Sequence, residues 1–399
     1  LEGGEVTKTI SMQLVLFSQS HNRAIEIQTA INRRFPEEPG QGTTTARAKN
    51  DELVDITVPP SWSDHVDDFM NLMLHINLRT KNAEKNALDI KRLLLADPSP
   101  KNADAASWRW QAIGDRSLPV IRELYDYSED LPRLAALRTG GRLGDPIVIG
   151  SLLDVAIKGI GFSGRLEAID LLKEMPTDPR IEFGLRPLLN DETLEIRLRV
   201  AEALIHRGDR IMKGGVVDKK FELFVAESDY PLIYCTQAGL PRIILLGDLK
   251  IQKPIMFDTW SHRLIIKEAE EEIDKLDIRF QAKDNRGVME EQTSTTLPSF
   301  IIFLGHKPIP ESPSRGLNLS YSRTVGVIHS LWREQYLLAA DDSKVDFKAQ
   351  QDRLLAEINQ LTSSTAIKPR KNFDDMPEEE DRSRFLDITQ PPVVEDDAK

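Results

Sequence analysis

Cysteine is almost absent from this chain. Cys235 is the only one, which excludes an internal disulfide framework and any zinc or iron–sulfur site built on several thiolates, and leaves the compartment open. Within Leu232-Ile233-Tyr234-Cys235 it reads as a buried strand residue. Long apolar runs are missing too: the best, Ile243 to Leu246 and Phe300 to Leu304, fall far short of the roughly 18 residues a membrane span needs, so no bilayer crossing is expected. A surplus of positive charge is also lacking. The 52 basic and 64 acidic residues leave a net charge of −12, which offers no attraction to phosphate backbones and makes nucleic acid an unexpected ligand.

Several catalytic signatures are absent as well. No GxxxxGK[ST] phosphate loop and no GxSxG nucleophile elbow occurs. The seven histidines (His21, His65, His75, His206, His262, His306 and His329) show no HxxxH, HxH or HxxE spacing, so no metal is expected. No catalytic, cofactor-binding or metal-binding residue is assigned from the sequence, and the chain is not read as an enzyme.

What is there is an ordinary globular mixture. Of 399 residues, 40% are hydrophobic and 29% charged, enough for real cores in two to three domains. The chain opens Leu1-Glu2-Gly3-Gly4 without an initiator Met or a charged-then-apolar leader, and reads as a processed or excised piece.

The periodicity divides the chain into an α+β arrangement of several domains. Over residues 1–80, Met12, Leu14 and Leu16 alternate as a strand, and Ala24, Ile27, Ile31 and Phe35 step as a helix after a Ser20-His21-Asn22 cap. A Pro/Gly/Thr loop from Pro36 to Thr45 follows. Val54, Ile56 and Val58 then alternate, Pro59-Pro60 stops them, and Ser63 opens a helix with Val66, Phe69, Met73 and Ile76, a small β-α-β-α module. Residues 83–213 are helical. Arg133-Leu134, Arg165-Leu166 and Arg197-Leu198 recur every 32 residues, with Asp145, Asp178 and Asp209 following at 12 or 13. This predicts a repeat array in which residues 120–212 stack as paired helices with the three leucines in equivalent buried positions. The Arg-plus-Asp pattern, clearest in Gly184-Leu185-Arg186-Pro187-Leu188-Leu189-Asn190-Asp191, looks like short HEAT-like repeats.

Residues 219–340 turn to strand signals: Phe221 to Val225, Leu232 to Tyr234, Arg242 to Leu246, Arg263 to Lys267, Leu276 to Gln281 and Ser299 to Phe303. A helix capped by Ser322 and carrying Val325, Ile328, Trp332 and Tyr336 packs on that β-rich domain. Residues 341–399 hold 15 acidic and 9 basic side chains, a net −6 that is half of the total. Phe347, Leu354, Ile358 and Leu361 suit one exposed helix there, and Thr362 to Lys399 reads as a disordered acidic tail.

Four features call for weighing. Gly159-Ile160-Gly161-Phe162-Ser163-Gly164 matches the dinucleotide fingerprint, whose chemistry needs a preceding strand so that a pyrophosphate meets a helix N-terminus. Leu152 to Lys158 reads as helix, so the glycines are expected to form a turn between repeats, with Ser163 as cap. Asp64, Asp67 and Asp68 suit the macrodipole at a helix start better than a catalytic carboxylate pair. Glu268, Glu270, Glu271 and Glu272 read as a solvated turn, without calcium-loop spacing. Arginine outnumbers lysine in the repeats while acids balance its charge. The register suggests ladders of ion pairs between the repeated Arg and Asp, with a concave arginine-lined groove for a carboxylate-rich partner as the functional alternative.

The first module also resembles a known family. Leu14-Val15-Leu16, the helix Ala24 to Phe35 (AIEIQTAINRRF), Val54-Asp55-Ile56-Thr57-Val58-Pro59 and Val66 to Asn77 are similar, in this order, to a segment of the bacterial flagellar P-ring protein, over about residues 3–78. The resemblance implies a structural role in the periplasm, in the P ring of the flagellar basal body, supporting motility. It further implies self-association into a ring in the full-length protein and contact with the flagellar rod and other ring proteins. The alternative is a periplasmic scaffold or adaptor that binds another envelope protein through its helical repeats.

Overall fold

In the computed structural model the residues described are 12–78, 82–159, 161–270, 272, 274–282, 287–308, 315–339 and 343–350. They belong to one compact unit of mixed helix and sheet, with three apolar cores. The anticipated disordered tail and the positions Leu354, Ile358 and Leu361 lie outside these residues.

The first core belongs to the N-terminal module. Strand β1 (Met12–Val15) leads into helix α1 (His21–Arg34), capped by the Ser20 hydroxyl, which accepts from the Arg23 amide at 3.4 Å. Strands β2 (Ala46–Ala48) and β3 (Leu53–Ile56) and helix α2 (Val66–Leu74) complete it. The antiparallel sheet has the order β1-β3-β2, so the module has one strand more than its periodicity suggests. Short β2 is held from α1: Asn32 Nδ2 donates to the Ala46 carbonyl at 2.9 Å, its Oδ1 accepts from the Ala46 amide at 2.7 Å, and Gln28 Oε1 accepts from the Ala48 amide at 2.6 Å. Helix α2 starts after His65 rather than at Ser63, because Pro60–Trp62 forms a separate 3-10 turn.

The second core runs through the helices α3 (Ala83–Ala96), α4 (Pro100–Ile113), α5 (Leu118–Ile121), α6 (Asp130–Arg142), α7 (Ile149–Lys158), α8 (Gly161–Glu174), α9 (Pro179–Leu185) and α10 (Leu194–His206). Leu134, Leu166 and Leu198 sit on the alternate helices α6, α8 and α10. Leu134 is partly buried, Leu166 is 8% exposed and Leu198 is completely buried. Burial thus deepens along the array.

The expected ladder between repeated Arg and repeated Asp does not form. Asp145 instead takes a bidentate grip from Arg122, at 2.9 and 3.0 Å, and Asp209 takes the same grip from Arg186, at 3.0 and 2.9 Å. Both carboxylates follow a left-handed glycine, Gly144 (φ 70°) or Gly208 (φ 67°), that ends the preceding helix. Their amides bond back to the Gly140 and Leu204 carbonyls at 2.9 Å, the hydrogen-bonding pattern of a Schellman end that only glycine enters without strain. Asp178 differs, capping α9 and pairing with Arg180 at 2.7 Å. Of the repeated arginines, Arg165 pairs with Asp191, Arg133 with Asp130 on its own helix, and Arg197 donates to the carbonyls of Asp191 and Glu192.

The strands β4 (Lys213–Val217), β5 (Phe221–Ala226), β6 (Leu232–Cys235) and β7 (Arg242–Leu246) come next, followed by β8 (Leu249–Ile251), β9 (Met256–Thr259), β10 (Leu264–Glu268), β11 (Lys275–Gln281) and β12 (Val288–Ser294). After them come α11 (Leu297–Gly305), α12 (Tyr321–Arg333), β13 (Leu337–Ala339) and β14 (Asp346–Ala349). The main sheet is mixed, in the order β14-β6-β7-β5-β4, and β9 to β12 form an antiparallel meander. Alternation in β6 and β7 splits the sheet between two cores. Leu232, Tyr234, Ile244 and Leu246 join the helical array, whereas Ile233, Cys235, Ile243 and Leu245 join α11 and α12. The array therefore ends on a sheet face. Arg197 marks the junction, its guanidinium 4.6 Å over the Tyr230 ring, and Ser228 donates to the Leu189 carbonyl at 2.9 Å.

Three further expectations change. Ser299–Phe303 is helical, inside α11, because Pro298 occupies the first turn, and with six of the nine residues buried the apolar run shows too little contrast for its period to be read. Helix α12 is capped at Ser320, not Ser322, and Tyr336 lies beyond its end. Phe347 lies on β14, parallel to β6, rather than on a helix.

Candidate functional site

A groove of about 880 Å³ lies where the first module meets the array. Its floor comes from one face each of α4, α6 and α8, where Asp104 and Trp108, then Arg138 and Arg142, then Glu167, Asp170 and Glu174 recur at steps of three or four residues. Its opposite wall carries Arg34 of α1, Trp62, and Asp68 and Leu72 of α2. Trp108 packs against the core of the first module, which fixes the two walls against each other.

Arg138 is the hub of the floor. Its Nη1 donates to Asp104 on α4 at 2.6 Å, its Nη2 to Glu167 on α8 at 3.0 Å, and its Nε also to Glu167. Burial opposes its charge, but the bonds from Glu167 and Asp104 outweigh that and raise its pKa above the usual arginine value. One turn further on α8, Asp170 takes Arg199 of α10 at 3.0 and 3.1 Å. Burial dominates at Asp170 and raises its carboxyl above the ordinary range despite Arg199. Beneath them Thr139 meets the Ser107 hydroxyl at 3.2 Å and Gln111 donates to it at 2.9 Å, so α4 and α6 share a buried polar seam. Ion pairs and seam together make a stiff, charged surface of alternating sign.

Arg142 is less completely paired. It stacks 4.4 Å over Trp108, with Gln111 at 3.4 Å and Asp68 at 3.7 Å, and burial lowers its pKa. Asp68 thus stands in the first turn of α2, as the macrodipole reading requires, and also faces this groove.

The other singled-out residues are not brought together. Gly159 (φ 82°) ends α7 and Gly161 opens α8, so a helix rather than a strand precedes the glycines and no sheet edge offers a pyrophosphate cradle. Ser163 lies within the first turn of α8 rather than at its cap. Cys235 is buried on β6 and its thiol is pushed up to about 12 by that burial. Glu268 ends β10, and Glu272 pairs with Lys275 at 2.6 Å at the following turn. His306 meets Asp218 at 3.1 Å at the turn between β4 and β5. Among the described residues no group of three or more His, Cys, Asp or Glu could hold a metal ion, and no helix is long and apolar enough to cross a membrane.

Apart from Asp68 and Ser163, the groove's polar residues belong to no motif in the sequence. Their signal was the polar stripe at helical spacing on α8, from Ser163 through Glu167 and Asp170 to Glu174, facing away from Leu172 and Ile169. What the arrangement offers chemically is a fixed pattern of charge and two tryptophan faces, suited to holding a polar partner segment. Comparison of the chain with protein families, curated proteins and solved structures finds no match.

Proposed function

We propose that the protein is a structural subunit of the P ring of the bacterial flagellar basal body, acting in the periplasm through surfaces rather than through catalysis. The resemblance over residues 3–78 supports this reading, and one observation carries it: among the described residues the first module leaves one sheet edge unpaired. The far edge, β2, is closed by Asn32 and Gln28 of α1. At the other edge no described strand pairs with the outer side of β1. The Leu16 amide bonds inward to the Glu52 carbonyl, so by alternation the amides and carbonyls of Gln13 and Val15 face outward. Beside them Val15 is 60% exposed and Phe17 is fully exposed. An open edge flanked by apolar side chains suits the unlike-to-unlike contacts from which a closed ring is built. Deleting the gene and imaging isolated basal bodies tests the reading. Rings should lose mass and motility should fall, and unchanged basal bodies with normal swimming refute it.

The charged groove favours a second reading, in which HEAT-like repeats serve as a scaffold for another envelope protein. Affinity capture on the full-length secreted protein, wild type against Arg142→Glu, separates the two: loss of one captured envelope protein with intact rings favours the scaffold.

A further inference from the structure

A second cavity, of about 430 Å³, opens behind the groove, between the end of α1, the end of α4 and the start of α3. Its polar lining is unusual for a chain with net charge −12. Arg33, Arg34 and Arg116 line it, and none of the described lining residues is a carboxylate. Arg34 is half-buried, stacks 5.3 Å over Phe35, and makes no hydrogen bond among the described residues, and its Nε is buried without a partner. Burial lowers its pKa, and the nearby charge of Asp115 offsets this only in part. A buried guanidinium donor costs free energy until an acceptor reaches it. Ala83 and Asn86 line the cavity from the first turn of the 14-residue helix α3, whose positive end adds to the same potential. Apolar walls come from Ile76 and Ile113.

We propose that this cavity binds a small organic oxyanion, a phosphate or carboxylate head held by Arg34 and Arg116 with a compact apolar body against Ile76 and Ile113. Planar guanidinium forks match both heads, and the cavity falls within the size range of small-molecule sites. The site is independent of the ring reading, since it uses neither the open edge of β1 nor the floor of the groove.

Calorimetric titration of the full chain with phenyl phosphate, benzoate, inorganic phosphate and benzyl alcohol tests the proposal. Phenyl phosphate or benzoate should bind saturably and more tightly than inorganic phosphate, with benzyl alcohol silent; whichever of the first two binds more tightly identifies the head. Arg34→Gln and Arg116→Gln should each weaken the better anion by about tenfold to a hundredfold. Arg92→Gln on exposed α3 surface should leave it unchanged. Arg116 is exposed, so its variant keeps the fold and the test stands even where Arg34→Gln lowers stability. No saturable binding of either organic anion, equal binding of benzyl alcohol, or undiminished binding by Arg116→Gln overturns the proposal.

Discussion

Truncating the three register leucines tests the array quantitatively. If residues 133, 165 and 197 marked identical units, Leu134→Ala, Leu166→Ala and Leu198→Ala would cost the same. The structure predicts a gradient instead. Helix α10 is buried nearly all round, with Ile196, Val200, Ala201 and Leu204 as fully enclosed as Leu198. The cavity left by Leu198→Ala cannot collapse, which places its cost in the upper part of the Leu→Ala range, about 4 kcal/mol. Leu166, at 8% exposure, should lose about 3 kcal/mol, and partly buried Leu134 about 2 kcal/mol or less. With a urea slope of about 4 kcal/mol/M for a chain of this length, Leu198→Ala lowers the unfolding midpoint by about 1 M. Far-ultraviolet circular dichroism during urea titration reads all three. A loss at Leu198 of about 1 kcal/mol or less, or no larger than at Leu134, would show that α10 is not the enclosed helix described.

Acid should attack the bidentate pairs. At Asp145, burial is outweighed by bonds from Arg122, Tyr125 and the Ile147 amide, and at Asp209 by bonds from Arg186 and the Ile211 amide, so both carboxyls sit below their ordinary value. A depressed folded pKa contributes stability that is present above the unfolded value, about 4, and is lost as pH falls through the folded value. The urea midpoint should therefore drop below about pH 4, and Asp145→Asn with Asp209→Asn should flatten that limb; an unchanged slope contradicts the assignment. Two glycine substitutions should move in opposite directions. A Cβ at Gly140 would meet the Tyr125 hydroxyl at 2.3 Å, whereas one at Gly150 meets nothing. Gly140→Ala should cost about 1 to 3 kcal/mol and Gly150→Ala should gain about 0.5 kcal/mol; thermal melting that moves both the same way refutes the packing described around Tyr125.

The parts of this fold that were legible beforehand share one property: their burial is one-sided and periodic. The helices around Ile27 and Leu166 and the strands around Leu223 and Ile278 each turn a repeating apolar face to a core, and a repeating face survives as a pattern. Two kinds of element lose that pattern. Strand β6 is buried at every position and helix α11 at six of its nine, so an apolar run alone cannot tell helix from strand. Strand β2 has three residues and no face of its own, existing because amides of α1 satisfy its outer edge.

The same physics explains the mispaired ladder. The recurring Asp145 and Asp209 were visible, but their partners are set by the turns that follow Gly144 and Gly208, which aim each carboxylate back at a 3-10 segment carrying Arg122 or Arg186. The partner lies 23 residues upstream in both cases, and that second recurrence, Arg to Asp across a whole helix, was the signal available. Asp145 and Asp209 stand 64 residues apart, twice the leucine spacing, while Asp178 between them caps its own helix instead. The array thus alternates its locks: bidentate pairs at every second turn, and Arg138 and Arg199 crossing between neighbouring helices on the groove face. Charge in the helical segment fixes one helix against the next, as the pairs made by Arg122, Arg138, Arg186 and Arg199 show, whereas Arg34, outside that segment, keeps its Nε buried without a partner.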